Sequence, residues 1–169
     1  MIVETMYVTD DRALSAGATQ ADLRDRIEII DALYRFGLGQ DLADRDLFAS
    51  AFVESAELDF RPAASRWGAD VPVMTGRDAI VDTILAMFAG RVDTTHVVTN
   101  PRVRIDGDRA CLTAIVEAQH LLTADHTVHV LLKNRYDVAL VRDRERWAVQ
   151  RIIIENVWYT GDPAAIFGG

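Results

Sequence analysis

The strongest constraint on the fold lies in the second half of the chain, which consists of four long runs of apolar and β-branched residues. These runs span residues 94–105, 109–122, 127–141 and 147–159. Asp106-Gly107-Asp108 is a strong hairpin signal, and residues 123–126 and 142–146 are polar connections of hairpin length. Because strands joined by hairpins are antiparallel neighbours, this half predicts a meander of long antiparallel strands.

The first half favours helices. Thr19 is a suitable N-cap, with Asp22 three residues later. From there apolar residues recur at steps of three and four, at Leu23, Ile27, Ile30, Tyr34 and Leu38. This spacing predicts an amphipathic helix that buries the face carrying those side chains, and Gly37 and Gly39 are expected to loosen its end.

Shorter elements follow the first helix. A second helix is predicted near Asp44, a strand at 56–61 and a third helix at 77–89. Helices in the first half and a strand meander in the second predict an α+β fold, in which a curved, mostly antiparallel sheet wraps around three helices.

Two segments lack sustained periodicity. Residues 1–18 are predicted to form an N-terminal arm that precedes one domain at 19–169. Residues 61–76 contain two prolines and Trp67, and we interpret them as a long excursion. Because long loops in compact domains often border a site, this excursion is expected near one.

Composition excludes some classes of function. Half of the 169 residues are apolar, enough for a substantial core, and 18 basic against 26 acidic residues leave a net charge of −8. This charge disfavours binding to nucleic acid. No run approaches the ~20 apolar residues of a membrane span, the N-terminus lacks a signal-peptide pattern, and Cys111 has no cysteine partner. A cytoplasmic protein without membrane contact is therefore expected.

Histidine is the side chain whose ordinary pKa lies nearest neutrality, so His96, His120, His126 and His129 are candidate acid–base groups. A single strand histidine is more often structural or exposed, and His126 and His129 are interpreted in that way. Asp41, just past the glycine-rich helix end, suits a helix cap and a site residue equally well on local grounds.

Motifs that hold metals or phosphates are absent from the sequence. There is no His-Glu-x-x-His motif, no paired-cysteine motif and no compact facial triad of ligands. Phosphate-binding glycine motifs and a Gly-x-Ser-x-Gly elbow are also missing. We therefore predict neither a metal nor a cofactor.

The order of several short segments resembles the SnoaL-like proteins of the nuclear-transport-factor-two-like superfamily. The matching segments are 30–52 (IDALYRFGLGQDLADRDLFASAF), 76–80 (GRDAI), 95–101 (THVVTNP), 106–110 (DGDRA), Tyr136 with Trp147, and Trp158 with Gly161-Asp162. Together they cover nearly everything from residue 22 to 163. The resemblance implies a cone-shaped α+β barrel with an apolar pocket.

Within that superfamily the pattern looks most like scytalone dehydratase and hexachlorocyclohexane dehydrochlorinase, which share an aspartate–histidine pair at the bottom of the cone. The resemblance places Asp41 and His96 at those positions and His120 and Tyr136 on pocket-facing strand positions. It also places Asn134 one inward step away and Asn100 beyond His96. Such an aspartate orients the imidazole and raises its basicity, while His120 or Tyr136 would assist a leaving group.

The resemblance and the periodicity together propose a pocket wall. Its members are Leu33, Tyr34, Phe60, Trp67, Met87, Phe88 and Val98. The implied function is a cofactor-independent lyase or isomerase that acts on a small apolar molecule, cyclic or aromatic. The alternative is a non-catalytic ligand-binding protein or a scaffold like a dioxygenase β-subunit, and the fold alone does not choose between them.

Two features modify these expectations. In the dehydratase pattern two tyrosines hold a water, and the corresponding positions here are Gln40 and Phe60, which puts that specific dehydration machinery in doubt. The broad outer face of such a sheet also predicts a homo-oligomer, a dimer or trimer. Val103, Ile115, Ile152 and Ile154 are the apolar strand residues considered for that face.

Overall fold

The computed structural model describes residues 18–168. The predicted arm at 1–18 therefore lies outside the described residues, apart from Ala18. No described helix is both long enough and apolar enough to span a membrane.

The described chain contains five helices and six strands. The helices are α1 (Gln20–Asp41), α2 (Arg45–Ala49), α3 (Arg61–Ala64), α4 (Arg77–Phe88) and α5 (Pro163–Phe167). The strands are β1 (Phe52–Asp59), β2 (Met74–Thr75), β3 (Val92–Asp106), β4 (Arg109–Leu122), β5 (Asp125–Asp143) and β6 (Arg146–Gly161). A single 3₁₀ turn, Ser65–Trp67, follows α3. The α+β class predicted from the sequence is confirmed.

The six strands form one curved sheet in the order β2-β1-β6-β5-β4-β3. Strands β3 to β6 pair antiparallel with their sequence neighbours, as the hairpin signals predict. β1 pairs parallel with β6. After β1 the chain crosses through α4 to β3 at the opposite edge of the sheet, and the meander then returns to β6 beside β1. Alternate residues of β4 and β5 face inward and are buried, so the concave face of the sheet forms the core.

The first helix begins as predicted but buries a different face. Thr19 caps α1 in a reciprocal capping box with Asp22. The predicted inward row is largely exposed, however, with Ile27 68% and Leu38 49% exposed. The buried row consists of Ile29, Ala32, Leu33, Phe36 and Gln40. Both rows have helical spacing, and the buried row belongs to the side of the helix where Gly37 and Gly39 let β3 and α2 approach its backbone.

The two glycines do not loosen α1, which continues to Asp41. A Cβ on Gly39 would lie 2.5 Å from the Cα of Phe48, and one on Gly37 would lie 2.9 Å from the Cβ of His96. The glycines therefore let α2 and β3 pack directly on the helix backbone. The predicted weakening was wrong, because their function here is close approach.

Other elements lie near their predicted positions. Asp44 caps α2, and α4 matches the predicted third helix. The strand expected at 56–61 begins earlier, at Phe52, and ends at Asp59. The excursion at 61–76 is partly regular, since it contains α3, the 3₁₀ turn and β2. The sequence patterns did not predict the short helix α5 at the end of the chain.

Three of the four apolar residues considered for an oligomer face belong to the core of this chain. Val103, Ile152 and Ile154 are buried, and Ile115 is partly buried. Ile152 and Ile154 lie on the inward face, where they pack beneath the helices. The oligomeric state stays a prediction.

We predict that Gly39→Ala destabilises the protein. In an open helix the same change stabilises by up to about 1 kcal/mol. Here the new methyl group meets the Phe48 backbone at 2.5 Å, and such overpacking typically costs about 1–3 kcal/mol. Urea unfolding monitored by circular dichroism measures the sign. Leu38→Ala, at an exposed position of the same helix, is the control and should change stability by only about 0.5 kcal/mol. A Gly39→Ala protein as stable as the wild type would contradict the packing argument.

Candidate active site

Asp41 is the last residue of α1, and its carboxylate is hydrogen bonded to β3. The His96 backbone N–H donates to Oδ2 at 2.8 Å, and the Thr94 hydroxyl donates to Oδ1 at 2.6 Å. The His96 ring nitrogen Nδ1 lies 2.6 Å from Oδ1. Three groups from two residues on the same face of β3 therefore hold one carboxylate.

The contact with Asp41 determines the tautomer of the His96 ring and the nitrogen that faces the cavity. The His96 side chain is 3% exposed and that of Asp41 14% exposed. Because an ionised carboxylate only accepts hydrogen bonds, Nδ1 carries the proton. In a neutral imidazole the lone pair then resides on Nε2, the nitrogen available to the cavity that His96 lines. The geometry is that of an oriented general base.

The environment keeps Asp41 ionised. Burial alone would raise the pKa of this carboxyl group. The hydrogen bond and the charge interaction with His96, together with the Thr94 hydroxyl and the His96 backbone N–H, outweigh burial and lower the pKa of Asp41 below its ordinary value. Asp41 therefore remains a carboxylate near neutral pH.

A cavity of about 130 Å³ lies between the helices and the concave face of the sheet. Its polar wall residues are Gln40, His96, His120, Asn134 and Tyr136. Its apolar wall includes Phe36, Leu58, Phe60, Trp67, Met74, Ile84, Met87, Phe88, Leu132, Ile154 and Phe167. Ala118 pairs with His96 across β3 and β4 and with Leu132 across β4 and β5. Its small side chain leaves room beside the two histidines.

His120 and Tyr136 are buried uncharged groups in this wall. Burial, together with the neighbouring His96 ring 5.6 Å away, lowers the pKa of His120 to about 3. Among the described residues, its Nδ1 has no hydrogen-bond partner. Burial raises the pKa of the Tyr136 hydroxyl above its usual range, against the effect of a hydrogen bond from Asn134. Both groups are therefore neutral at neutral pH.

The structure brings most of the predicted site residues to one cavity, but not all. Asp41 contacts His96, and His96, His120, Tyr136 and Asn134 line the wall. Of the predicted apolar wall, Phe60, Trp67, Met87 and Phe88 line the cavity, and so does Gln40. The predicted excursion at 61–76 contributes further wall residues, Ala64, Ala69, Val71 and Met74.

Three predicted wall residues and the predicted site residue Asn100 lie elsewhere. Tyr34 is 48% exposed on the outward face of α1, because the helix buries its other row. Leu33 is buried in the core, and Val98 packs at its edge. Asn100 is exposed, with a positive φ of 53°, at the irregularity that β3 shows between Thr99 and Arg102. These placements correct the sequence interpretation, since none of the four lines the described cavity.

Several residues in or around the cavity were not predicted from the sequence. Thr94, which donates to Asp41, lies two residues before His96 on the same strand face, and that spacing was the available signal. Phe36 lines the cavity because α1 presents its other row. Phe167 of α5 lines the cavity and stacks on Trp67 with ring centroids 5.9 Å apart. Arg91 donates to the carbonyl groups of Ala165 and Ile166 and so holds α5 in place.

The other two histidines lie away from the cavity. His126 is exposed and contacts Asp93 on the surface at 2.8 Å, and the His129 ring contacts the Thr127 carbonyl group. Within residues 18–168, no group of three or more His, Cys, Asp or Glu side chains is arranged to hold a metal ion.

The fold and the buried carboxylate–imidazole pair define a small α+β protein with an apolar cavity. A family model described as the SnoaL-like domain matches residues 21–153. The chain therefore belongs to the SnoaL-like family, as the sequence segments predicted.

Relatives and solved structures agree with this family. "Terrestric acid biosynthesis cluster protein E" of Penicillium crustosum is 33% identical over 163 residues, covering 92% of this chain and 97% of that protein. A putative scytalone dehydratase from Novosphingobium aromaticivorans has a TM-score of 0.72 at 21% identity, covering 86% of this chain and 92% of the other. A type 2 hexachlorocyclohexane dehydrochlorinase has a TM-score of 0.70 at 18% identity, covering 83% of this chain and 90% of the other. At these identities the two structures establish the fold alone.

We predict that His120 makes the protein less stable in mild acid. Its pKa is about 3 in the folded state and near 6.5 when unfolded. Only the unfolded state therefore binds this proton as pH falls below 6.5, and about 2 kcal/mol of stability is lost between pH 6.5 and 4.5. Urea unfolding at the two pH values should show a smaller loss in His120→Phe than in the wild type.

The pH window from 6.5 to 4.5 distinguishes the effect of His120 on stability from that of Asp41. A lowered carboxyl pKa also removes stability in acid, but Asp41 titrates from an ordinary value of 3.8 downward. Above pH 4.5 the difference between the two proteins thus reports mainly on His120. If the wild type and His120→Phe lost equal stability between pH 6.5 and pH 4.5, the His120 imidazole would have to be protonated in the folded protein.

Proposed function

We propose that this protein is a cofactor-independent lyase or isomerase in which Asp41 and His96 act together as a general base. The observation that carries the proposal is the 2.6 Å contact between Asp41 Oδ1 and His96 Nδ1 in the wall of an apolar cavity. Buried polar pairs cost free energy unless they are satisfied. A pair that turns an imidazole nitrogen toward a largely apolar cavity is suited to removing a proton.

The reaction step follows from the arrangement. His96 Nε2 accepts a proton from a carbon of the substrate, and the electron pair of that C–H bond forms a new double bond. In an elimination, the bond to the leaving group breaks and the leaving group departs with its electron pair. The positive charge gained by the imidazole is stabilised by the Asp41 carboxylate.

The neutral groups opposite the base assist by hydrogen bonding. With its pKa raised, the Tyr136 hydroxyl keeps its proton and donates to the oxygen or halogen on which charge develops. The pKa of His120, about 3, prevents that residue from acting as an imidazolium acid at neutral pH. His120 therefore contributes hydrogen bonds rather than an extra proton.

The cavity limits the class of substrate. Its volume of about 130 Å³ is close to the roughly 150 Å³ of an engineered apolar cavity that binds benzene. Phe60, Trp67, Phe88 and Phe167 surround this space with aromatic faces. We propose a small, largely apolar substrate with a single ring and one polar edge.

The named relatives support this reaction class. One relative carries the name of a biosynthesis cluster protein, and the two solved structures are named for a dehydratase and a dehydrochlorinase. Both of those activities are eliminations that begin with, or include, loss of a proton. Gln40 and Phe60 line the cavity, and the sequence resemblance assigns them to the positions of the water-holding tyrosines in the dehydratase pattern. We therefore propose an elimination or isomerisation without that water.

We predict that the wild type accelerates the base-promoted ring opening of 5-nitrobenzisoxazole, an apolar probe that reacts by loss of one C–H proton. Asp41→Asn and His96→Gln should each lower kcat/KM by about 10²-fold or more, since general-base catalysis contributes on that order. The double variant should be scarcely slower than either single one, because both residues serve one step. Release of the coloured phenolate measures the rate.

The surface supplies a matched control. His126 and Asp93 make a similar contact, 2.8 Å between Nε2 and Oδ2, in an exposed position. His126→Gln and Asp93→Asn should leave the rate unchanged. If the surface variants lose as much activity as the cavity variants, or if His96→Gln keeps full activity while folded, the proposed base is wrong and a non-catalytic binding role gains support.

A further inference from the structure

Asn156 is buried behind the cavity wall and does not itself line the described cavity. It is 3% exposed and lies on β6 opposite Asn134 of β5, which is 1% exposed. Its amide nitrogen donates to Asn134 Oδ1 at 2.9 Å, to the Trp158 carbonyl group at 3.0 Å and toward the Lys133 carbonyl group at 3.4 Å. Asn156 therefore joins the strand backbone to a residue of the cavity wall.

A β-bulge creates this arrangement. Lys133 pairs with Trp158, and the next residue, Asn134, pairs with Asn156, so Val157 is an extra residue in β6. At a bulge the ladder is disrupted, and backbone groups there need other partners. The Asn156 amide supplies a donor to the carbonyl groups on both sides of the bulge.

The two backbone carbonyl groups determine which way the Asn156 amide points. A carbonyl oxygen only accepts, so the NH₂ group has to face Trp158 and Lys133. The opposite orientation would set three oxygens against one another. This orientation leaves Asn156 Oδ1 without a hydrogen-bond partner among the described residues.

The orientation is passed on to Asn134 and Tyr136. Because the NH₂ group of Asn156 faces Asn134, the Asn134 oxygen accepts and its own NH₂ group is directed away. That NH₂ group is the donor available to the Tyr136 hydroxyl, with which Asn134 is hydrogen bonded. The Tyr136 oxygen accepts from Asn134, and its proton is free to point into the cavity.

We propose that Asn156 is a positioning residue that gives this wall of the cavity a single hydrogen-bond polarity. Asn134 and Tyr136 then present donors only, and the ligand presents an acceptor to them, such as a carbonyl oxygen. This inference rests on the proposed function only in taking the same cavity as the ligand site. It requires no proton transfer by His96.

Two probes of the same shape test the polarity. Acetophenone carries a carbonyl oxygen where α-methylstyrene carries a CH₂ group, and NMR titration gives a Kd for each. In Asn156→Ala, the ratio of the acetophenone Kd to the α-methylstyrene Kd should rise about tenfold over the wild type, the equivalent of one hydrogen bond. Asn134→Leu should raise the ratio by a similar factor. The double variant should add little, since the two residues act through one chain.

A control and a second variant make the result decisive. Gln119 also donates its amide to a backbone carbonyl group, that of Val130 at 3.2 Å, but it does not line the described cavity. Gln119→Ala should leave the ratio unchanged. If Asn156→Ala fails to fold, Asn156→Ser replaces it as the test. The serine keeps a donor for the bulge but is too short to orient Asn134. It should therefore raise the Kd ratio by the same factor of about ten.

The outcomes separate this proposal from the proposed catalysis. If Asn156 were only structural, its replacement would weaken both ligands equally, and a ratio within about twofold of the wild type overturns the proposal. A tenfold shift supports it, even if the 5-nitrobenzisoxazole reaction shows no catalysis. Catalysis with an unchanged ratio would leave the base intact and remove the polarity assignment.

Discussion

The rest of the site depends on the hydrogen bonds that connect the end of α1 to β3. Asp41 carries a negative charge at the C-terminal end of a helix whose last turn has no basic residue, which the helix dipole disfavours. The N–H and ring nitrogen of His96 and the hydroxyl of Thr94 compensate for this charge. The same bonds align the imidazole, so they both attach the end of the helix to the sheet and orient the His96 ring.

That interaction requires close approach of the two backbones, and the glycines of α1 allow it. Gly37 lets β3 approach at His96, and Gly39 lets α2 pack beside it. The ring of Phe36 contacts those of His96 and Tyr136 from the same turn of the helix. Since the helix is held this tightly, the imidazole has little freedom to turn away from the cavity.

Charge is confined to one side of the cavity. Burial keeps His120 and Tyr136 neutral, by lowering the pKa of one and raising that of the other. The Asp41 carboxylate is held behind His96 rather than in the wall itself. A proton arriving on His96 would therefore meet one compensating charge in surroundings of low dielectric constant, where electrostatic stabilisation is strong.

The sequence by itself determined the kind and order of the longer elements, although not of α3, β2 and α5, because caps, hairpin turns and residue periodicity act over a few residues. The capping box at Thr19 and the turn at Asp106-Gly107-Asp108 are such local signals. Residue segments also indicated the family and, through it, the pairing of Asp41 with His96. Periodicity did not identify the buried face of α1, since two rows of the helix share the same spacing and only packing on the sheet distinguishes them.

Only the tertiary structure decided the features that join distant parts of the chain. The end of α5 covers the cavity with Phe167, and Thr94 reaches Asp41 across 53 positions of sequence. The orientation of Asn156 depends on a bulge whose existence follows from the pairing of β5 with β6. These contacts arise when separate elements compete for the same space and the same hydrogen-bond partners, and no local pattern of residues encodes that competition.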